Sequence, residues 1–410
     1  MRKRHFLFAS VLALLCSSGA LHAQDFKLTS SGYFKNQGVD VMAFDDIYPE
    51  GHQGGVCIIM NGHRVATNGD IRLEATPGQW QPVPKQLDRK LSDNSITATL
   101  CYPDSSRHLT GFNPMIYPDL HLIYTVQVES KGKHIEVTVD LDRPIPQEFI
   151  GKVGFNLEFF PGSLFGKPWI MDGQSGIFPQ QPNSPLMTTQ PNYLHTGNYH
   201  DGKQSLADMD KLIGKGYSPI VADDIISEPY AKGRKFTSRP DDPYNKVTIE
   251  SLSGDLQLFD GRMNHNNGWF VLRSNIKPGV TKGAVKWIIT PNVVADWMYQ
   301  PVIQTSQIGY HPAQDKEAVI EMDIRDNRKE TAQIIRIDAD GEKVVKNVTP
   351  ANWGKFLRYN YLKVDFTDVK EPGLYKIKYD TSVSPIFRID NDVYARGVWQ
   401  PVLEYFLPVQ

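Results

Sequence analysis

The chain has 410 residues, 22% charged and 40% hydrophobic, a globular composition that suits two or three domains. Lys and Arg number 44 against 46 Asp and Glu, so the net charge is -2 and no basic field is present to hold nucleic acid. With 32 Gly, 28 Pro, 18 Tyr, 19 Phe and 7 Trp, turns are frequent and aromatic side chains abundant, which favours large β cores or sugar-facing surfaces.

The N-terminus reads as a targeting segment. Arg2, Lys3 and Arg4 form a charged start, residues 6–15 an apolar run, and small residues lead to Ala23 as the cleavage point before Gln24. The expectation is a signal peptide over 1–23 and an exported product, periplasmic or extracellular. Its removal takes the net charge from -2 to -5. Leu15 precedes Cys16, where a lipoprotein signal carries a small residue, which disfavours lipid anchoring. The apolar run is shorter than the roughly 18 residues of a spanning helix, and no later stretch reaches that length, so no membrane span is expected. Cleavage leaves Cys57 and Cys101, which either pair or stay as two thiols; two cysteines make no disulfide framework.

Over 24–300 the signals are almost all β. Leu122, Tyr124, Val126 and Val128 alternate with polar positions, and Ile135, Val137, Val139 and Leu141 do the same after a turn at 130–133, which predicts an antiparallel hairpin buried on one face. Asn61-Gly62 and Asn68-Gly69 are tight-turn signals. Residues 269–272 and 285–289 read as buried strands, and the one helical pattern is Leu206, Met209, Leu212 and Ile213. Without βαβ alternation, the expectation is one large β-sandwich with long Pro- and aromatic-rich loops at 160–169, 178–185 and 228–244.

A boundary is expected near Pro301. Over 301–390, Ala318, Ile320 and Met322 alternate, Ile335 and Ile337 lead into an Asp340-Gly341 turn, and Val344 and Val345 return. Leu362, Val364 and Phe366, then Tyr375, Ile377 and Tyr379, also alternate, which suits a small immunoglobulin-like sandwich without its disulfide. In 391–410, Ala395, Trp399, Val402, Leu403 and Phe406 fall on one helical face with Asn391 or Asp392 as N-cap. Pro401 lies inside that pattern, where the helix should kink or restart.

The stretch Gln307-Ile308-Gly309-Tyr310-His311-Pro312, with Lys316, Ala318 and Val319, resembles the first strand of the immunoglobulin-like module that precedes the catalytic domain in many glycoside hydrolase family 9 enzymes, cellulases and related endoglucanases. Pro372-Gly373-Leu374-Tyr375 is similar to that family's turn into a late strand. Ser384 to Ile389, then Val393-Tyr394, is similar to its exit into the first catalytic helix. Gly309 and Gly373 suit tight backbone turns, while Tyr310 and Tyr375 suit packing. The resemblance implies a module that props an (α/α)6 barrel, with 391–410 as the first helix of a truncated barrel whose remainder is its intramolecular partner. It also implies O-glycosyl hydrolysis of the endo-β-1,4-glucanase type on a β-glucan polysaccharide. The family's acid and base lie in the barrel, so no catalytic residue carries over to this chain.

Other chemistry is sparse. Asp223-Asp224 and Asp241-Asp242 are paired acids, but neighbours in sequence point apart and read as solvated loop residues. His195, His200 and Asp201 lack a metal-ligand spacing, and Asp338-Ala339-Asp340-Gly341 resembles part of a calcium loop without its distal Glu. Gly214-Lys215-Gly216 lacks phosphate-loop spacing, so no cofactor and no metal are expected. Trp80, Trp169, Trp269 and Trp353 are candidates to stack on pyranose rings. Trp169 and Trp269 come first, because polar, Gly-rich loops flank them.

The expected fold is all-β: a large leading β-sandwich-like domain (24–300), a small immunoglobulin-like sandwich (301–390) and a terminal helix beginning an (α/α)6 barrel (391–410). The expected function is the N-terminal portion of an exported family 9-like endo-β-glucanase that lacks activity by itself. A non-catalytic carbohydrate-binding or scaffold protein is the alternative. A leading β region that is a sugar-processing enzyme of its own is a third.

Overall fold

A computed structural model describes residues 25–45, 54–74, 84–102, 120–182, 227–263, 268–395 and 400–405, with the single residues 77, 106 and 397. The chain divides into two compact units, 1–296 and 297–410. The 1–23 leader and the pattern at Leu206–Ile213 lie outside the described residues.

Among the described residues, the first unit holds two nine-stranded sheets. One runs in the order 27–28, 34–36, 39–43, 56–60, 63–73, 153–159, 270–275, 256–260 and 231–233. The other runs 174–177, 168–171, 235–238, 247–251, 285–291, 134–141, 123–131, 95–101 and 85–91. Side chains from both sheets share one apolar core. The expected hairpin forms between Ile123–Lys131 and His134–Leu141, with Tyr124, Val126, Val128, Ile135, Val137, Val139 and Leu141 all buried. Between the sheets, Phe155 meets Trp287 edge to face with ring centres 5.0 Å apart, and the Trp287 indole donates to Ser274 Oγ at 3.1 Å. Burying side chains of this size contributes about 1.5–3 kcal/mol each. Cys57 and Cys101 stand on strands of different sheets and form no disulfide.

The two Asn-Gly pairs behave differently. Asn61 (φ +52°) and Gly62 (φ +85°) make the two-residue turn between Val56–Met60 and His63–Leu73. Asn68-Gly69 does not turn the chain. It sits inside the strand His63–Leu73, where the register shifts against both neighbouring strands and Asn68 takes φ +55°. The same tolerance of positive φ that suits Asn to a hairpin here serves a β-bulge. A Cβ on Gly69 would lie 2.6 Å from Val56 Cβ, so only glycine fits the close approach of the two strands.

The second unit is a small sandwich. One sheet orders the strands 302–304, 317–323, 359–365 and 351–356. The other orders 341–348, 332–338, 373–379 and 382–383, with 387–389 also pairing to 373–379. Ile320, Met322, Ile334, Leu362, Val364, Tyr375, Ile377 and Ile389 fill its core. The turn falls one residue earlier than expected, at Ala339 and Asp340, and Gly341 (φ +130°) opens the return strand opposite Asp338. Val344 and Val345 lie on the return strand 341–348 as expected, 43% and 40% exposed beside a register shift.

The terminal helix is a correction. The described residues form only Gln400–Glu404, five residues, in place of an amphipathic helix that begins an (α/α)6 barrel. The chain from Asp390 continues in turns, and the Ala395 N–H bonds the Asp392 carbonyl at 2.8 Å. Gly397 takes φ +91°, which breaks the helical run before it can join Ala395 to the later residues. Pro401 lies at the start of the short helix and supplies no N–H. Fewer than two turns cannot carry a continuous apolar stripe, and Leu403 and Tyr405 stand 55% and 73% exposed. Nothing is described of Trp399, Phe406 or the Val402 side chain. No helix among the described residues is long and apolar enough to cross a membrane.

Candidate functional site

The strand Val153–Phe159 is buried along its whole length. Phe155, Leu157 and Phe159 enter the core, so alternation puts Gly154, Asn156 and Glu158 on the opposite face. There they meet Arg72 and Glu74 from one side and Arg273 from the other, all five polar side chains at 1–3% exposure. Arg273 donates to Glu74 Oε1 and Asn156 Oδ1, both at 3.1 Å, and to the carbonyls of Glu74 and Lys152 at 3.0 and 2.9 Å. Asn156 donates to Glu74, Asn68 donates to Glu158 at 2.6 Å, and Arg72 Nε stands 4.0 Å from Glu158. A Cβ on Gly154 would come within 2.8 Å of Arg273 Nε, so the glycine opens the space the guanidinium fills. Burial raises the Glu74 carboxyl to about 7, against the opposing pull of Arg273 and the Asn156 hydrogen bond. The group can exchange a proton near neutrality, but at 1% exposure it lies inside the protein, and its neighbours pin three strands together.

A second buried acid, Asp260, binds Arg262 Nε at 2.8 Å and the Tyr230 hydroxyl at 2.9 Å. Arg262 lies over the rings of Phe270 and Phe165 and donates to the carbonyls of Pro179 and Gln180. It ties one long loop to the sheet.

Trp169 is buried at 6% exposure, on Pro168–Met171 opposite Gly176, where a Cβ would lie 2.4 Å from the indole. Little of its ring is offered to a sugar. Trp269 is half-buried and meets Phe160 edge to face at 4.4 Å. Asp241 is exposed, whereas Asp242 turns inward onto Arg239, Asn245 and the Tyr244 N–H. Burial opposes ionisation of Asp242, but those partners hold its carboxyl below the ordinary range. Asp338 pairs with Arg336 at 2.9 Å beside the hairpin turn. Trp80, His195, His200, Asp201, Asp223, Asp224 and Gly214–Gly216 lie outside the described residues. Among the described residues, no group of three or more His, Cys, Asp or Glu can hold a metal ion.

The second unit gathers aromatic side chains on the outer face of one sheet. Tyr359 and Tyr361 alternate with buried Asn360 and Leu362, and Phe356 stands opposite Tyr359 on the neighbouring strand. Trp353 sits at a bulge and meets Tyr361 at 5.6 Å. Tyr299 packs on Tyr359 at 5.1 Å and Trp297 on Tyr299 at 6.4 Å. The 297–299 segment is fastened to the sheet by Asp323, which accepts the Tyr299 N–H at 3.0 Å, and by Arg325, which donates to the Trp297 carbonyl at 2.7 Å. Glu321 accepts hydrogen bonds from the hydroxyls of Tyr299 at 2.9 Å and Tyr361 at 3.3 Å. Burial and this carboxylate push the Tyr299 hydroxyl up, keeping it a donor.

The quoted motif residues of this unit form a structural knot. Tyr310 is buried between Phe366 and Phe387, edge to face with each. Its N–H bonds the Arg388 carbonyl at 2.8 Å, its carbonyl takes the Asp390 N–H at 3.0 Å, and its hydroxyl donates to the Glu317 carbonyl at 2.9 Å. Lys316 is buried, with Nζ donating to the carbonyls of Pro312 and Gln314 at 3.0 and 2.9 Å. Tyr375 stacks on Phe387, and Ser384 Oγ accepts the Ile377 N–H. The opening, the late strand and the exit of the unit thus meet in one place, and the family model for the cellulase N-terminal ig-like domain matches residues 298–384.

Two solved structures are similar to part of the chain. A metagenome-derived glycoside hydrolase family 9 endoglucanase is 31% identical over 22% of this chain and 18% of its own, with a TM-score of 0.20. A family 9 glycoside hydrolase of Bacteroides ovatus is 26% identical over 22% of this chain and 16% of its own, with a TM-score of 0.19. The matches therefore span less than a fifth of the length of those two solved chains. No curated protein matches the chain significantly.

The resemblance of 298–384 to the cellulase N-terminal ig-like domain is legible in its motifs, whereas its aromatic face depends on strand pairing. The signal was present as Tyr359-Asn360-Tyr361 at strand spacing, with Phe356 and Trp353 just before it. The internal network of the first unit also left a trace: polar Asn156 and Glu158 alternate with Phe155, Leu157 and Phe159.

Proposed function

We propose that the chain is the β-rich, non-hydrolytic portion of an exported family 9-type glycoside hydrolase acting on β-linked glucan such as cellulose, xyloglucan or mixed-linkage glucan. The observation that carries this reading is the match of residues 298–384 to the cellulase N-terminal immunoglobulin-like domain. Inverting hydrolysis needs an acid and a base about 6.5–9.5 Å apart across a substrate. Among the described residues, four of the buried acids, Glu74, Asp260, Asp323 and Asp326, are each bound to an arginine, which supports structural roles for those four. Export rests on the charged and apolar leader over 1–23. The aromatic face supports a second reading, a carbohydrate-binding or scaffold protein without a hydrolytic partner.

The test mixes the whole chain with a family 9 catalytic barrel expressed without its own immunoglobulin-like module. The reading predicts that the barrel's melting temperature rises in the presence of the chain. An unchanged melt across a concentration series overturns the role of barrel partner and leaves the second reading.

A further inference from the structure

The aromatic face of the immunoglobulin-like domain keeps large apolar groups in water. Trp353 and Phe356 are 57% and 56% exposed, side by side with the half-buried Tyr359 and Tyr361. Leu357, at the tip of the hairpin, is 80% exposed and held at φ +50°. A glycine or asparagine would meet that backbone with less strain and expose no apolar surface. Contiguous exposed aromatics of this kind mark a contact surface.

We propose that this face holds a single chain of neutral β-linked glucan, with pyranose rings against Trp353, Phe356 and Tyr361 and sugar hydroxyls on Glu321. The inference rests on the reading of the protein as glucan-directed, and it names the surface that meets the polysaccharide. Three observations select this occupant. First, the C–H faces of pyranose rings are apolar and match aromatic rings, while their hydroxyls need acceptors. Glu321 provides acceptors at the centre of the face, with capacity beyond the two tyrosine hydroxyls it already takes. Second, the charges flanking it are matched: Lys363 binds Glu317 at 2.6 Å and Arg325 binds Asp323 at 2.7 Å. Lys355 and Arg358 of the same hairpin offset Glu321, so the face carries no strong field of either sign and suits a neutral polyol. Third, the centre of a protein interface is depleted of carboxylates, since a covering protein would strip water from the charge. The rings meet at interplanar angles of 88°, 69° and 50° along the strip. That contour is stepped, and it suits one flexible chain better than a flat crystalline surface.

The experiment is native affinity electrophoresis of the whole chain in gels containing mixed-linkage glucan, xyloglucan or hydroxyethylcellulose. Retardation in at least one glucan is expected, weakened about tenfold in association constant by Trp353→Ala and by Phe356→Ala. Tyr244→Ala, which removes an exposed aromatic ring in the other unit, should leave it unchanged. Thermal melts of the variants check that these exposed substitutions leave the fold intact. Retardation that survives both strip variants overturns this face while leaving the glucan-directed reading standing. No retardation in any glucan also overturns it, and the barrel-stabilisation experiment then decides the broader reading separately. A dimer in sedimentation equilibrium that dissociates on Trp353→Ala would assign the face to a second copy and likewise overturn the proposal.

Discussion

Gly309 passes so close beneath Arg388 that a Cβ on the glycine would lie 2.3 Å from the Arg388 carbonyl oxygen. That oxygen accepts the N–H of the next residue, Tyr310, which joins the segment between the first two strands to the last strand, 387–389, through an isolated bridge. The glycine is also held at φ +93°, where an L side chain is strained.

Gly309→Ala should therefore destabilise the chain by more than about 2 kcal/mol, combining backbone strain with a contact that only main-chain movement can relieve. A urea titration reads this as a lower midpoint. As a comparison, Gly279→Ala places its methyl in open space at φ +73° and should lose only the conformational part, about 1 kcal/mol. Equal losses in the two variants would deny the close approach.

The Glu74 carboxyl is raised to about 7 by burial, so the folded state binds its proton more tightly than the unfolded state. Stability should accordingly fall as pH rises from about 4.5 to about 7 and level off above. Glu74→Gln keeps a hydrogen-bonding side chain and removes the titration. The melting temperature of the wild type should drop between pH 5 and 8 by more than that of the variant. Parallel profiles would mean that Glu74 is ionised throughout and paired to Arg273.

That network shows where the sequence stops being readable. Glu74 and Arg273 are 199 positions apart, and Glu74 and Asn156 82, so no local spacing announces the contact. The hairpin of 123–141, by contrast, follows from alternation within a single stretch of chain. Asn68-Gly69 lies between these cases: its positive φ was local and legible, but whether the chain turned or bulged depended on two neighbouring strands. The terminal helix failed for a local reason. Gly397, at φ +91°, interrupts the 3.6-residue spacing of Ala395 to Phe406, and the described helix starts only at Gln400, beside Pro401, and runs five residues. Strand pairing, not local spacing, brings Trp353 to Tyr361.

Asp323 shows the opposite pH behaviour to Glu74. Burial opposes its ionisation, but Arg325 and the N–H groups of Arg325 and Tyr299 prevail and hold it down at about 2. Its contribution is present above the unfolded pKa near 4 and is lost as pH falls toward 2. Because half of the Arg325 side chain meets solvent, that contribution is about 1–2 kcal/mol. Asp323→Asn should lower the melting temperature at pH 6 and narrow the gap between variant and wild type near pH 2.5. A gap that stays constant with pH would mean that the lost packing, not the charge, matters.

Arg273→Met leaves Glu74 buried without its guanidinium and should cost about 3–5 kcal/mol at pH 8. The loss should be smaller at pH 5, where Glu74 is protonated. A loss independent of pH would point to the four other hydrogen bonds of Arg273 as the larger part.

The most direct test of the account is reducing-sugar release by the whole chain, incubated alone with mixed-linkage glucan, xyloglucan and carboxymethylcellulose. On the proposed reading the hydrolytic acid and base lie in another part of the enzyme, so no release above a heat-denatured control is expected. Steady turnover by the chain alone, abolished by Glu74→Gln at unchanged stability, would make the leading sandwich a hydrolase in its own right and contradict it.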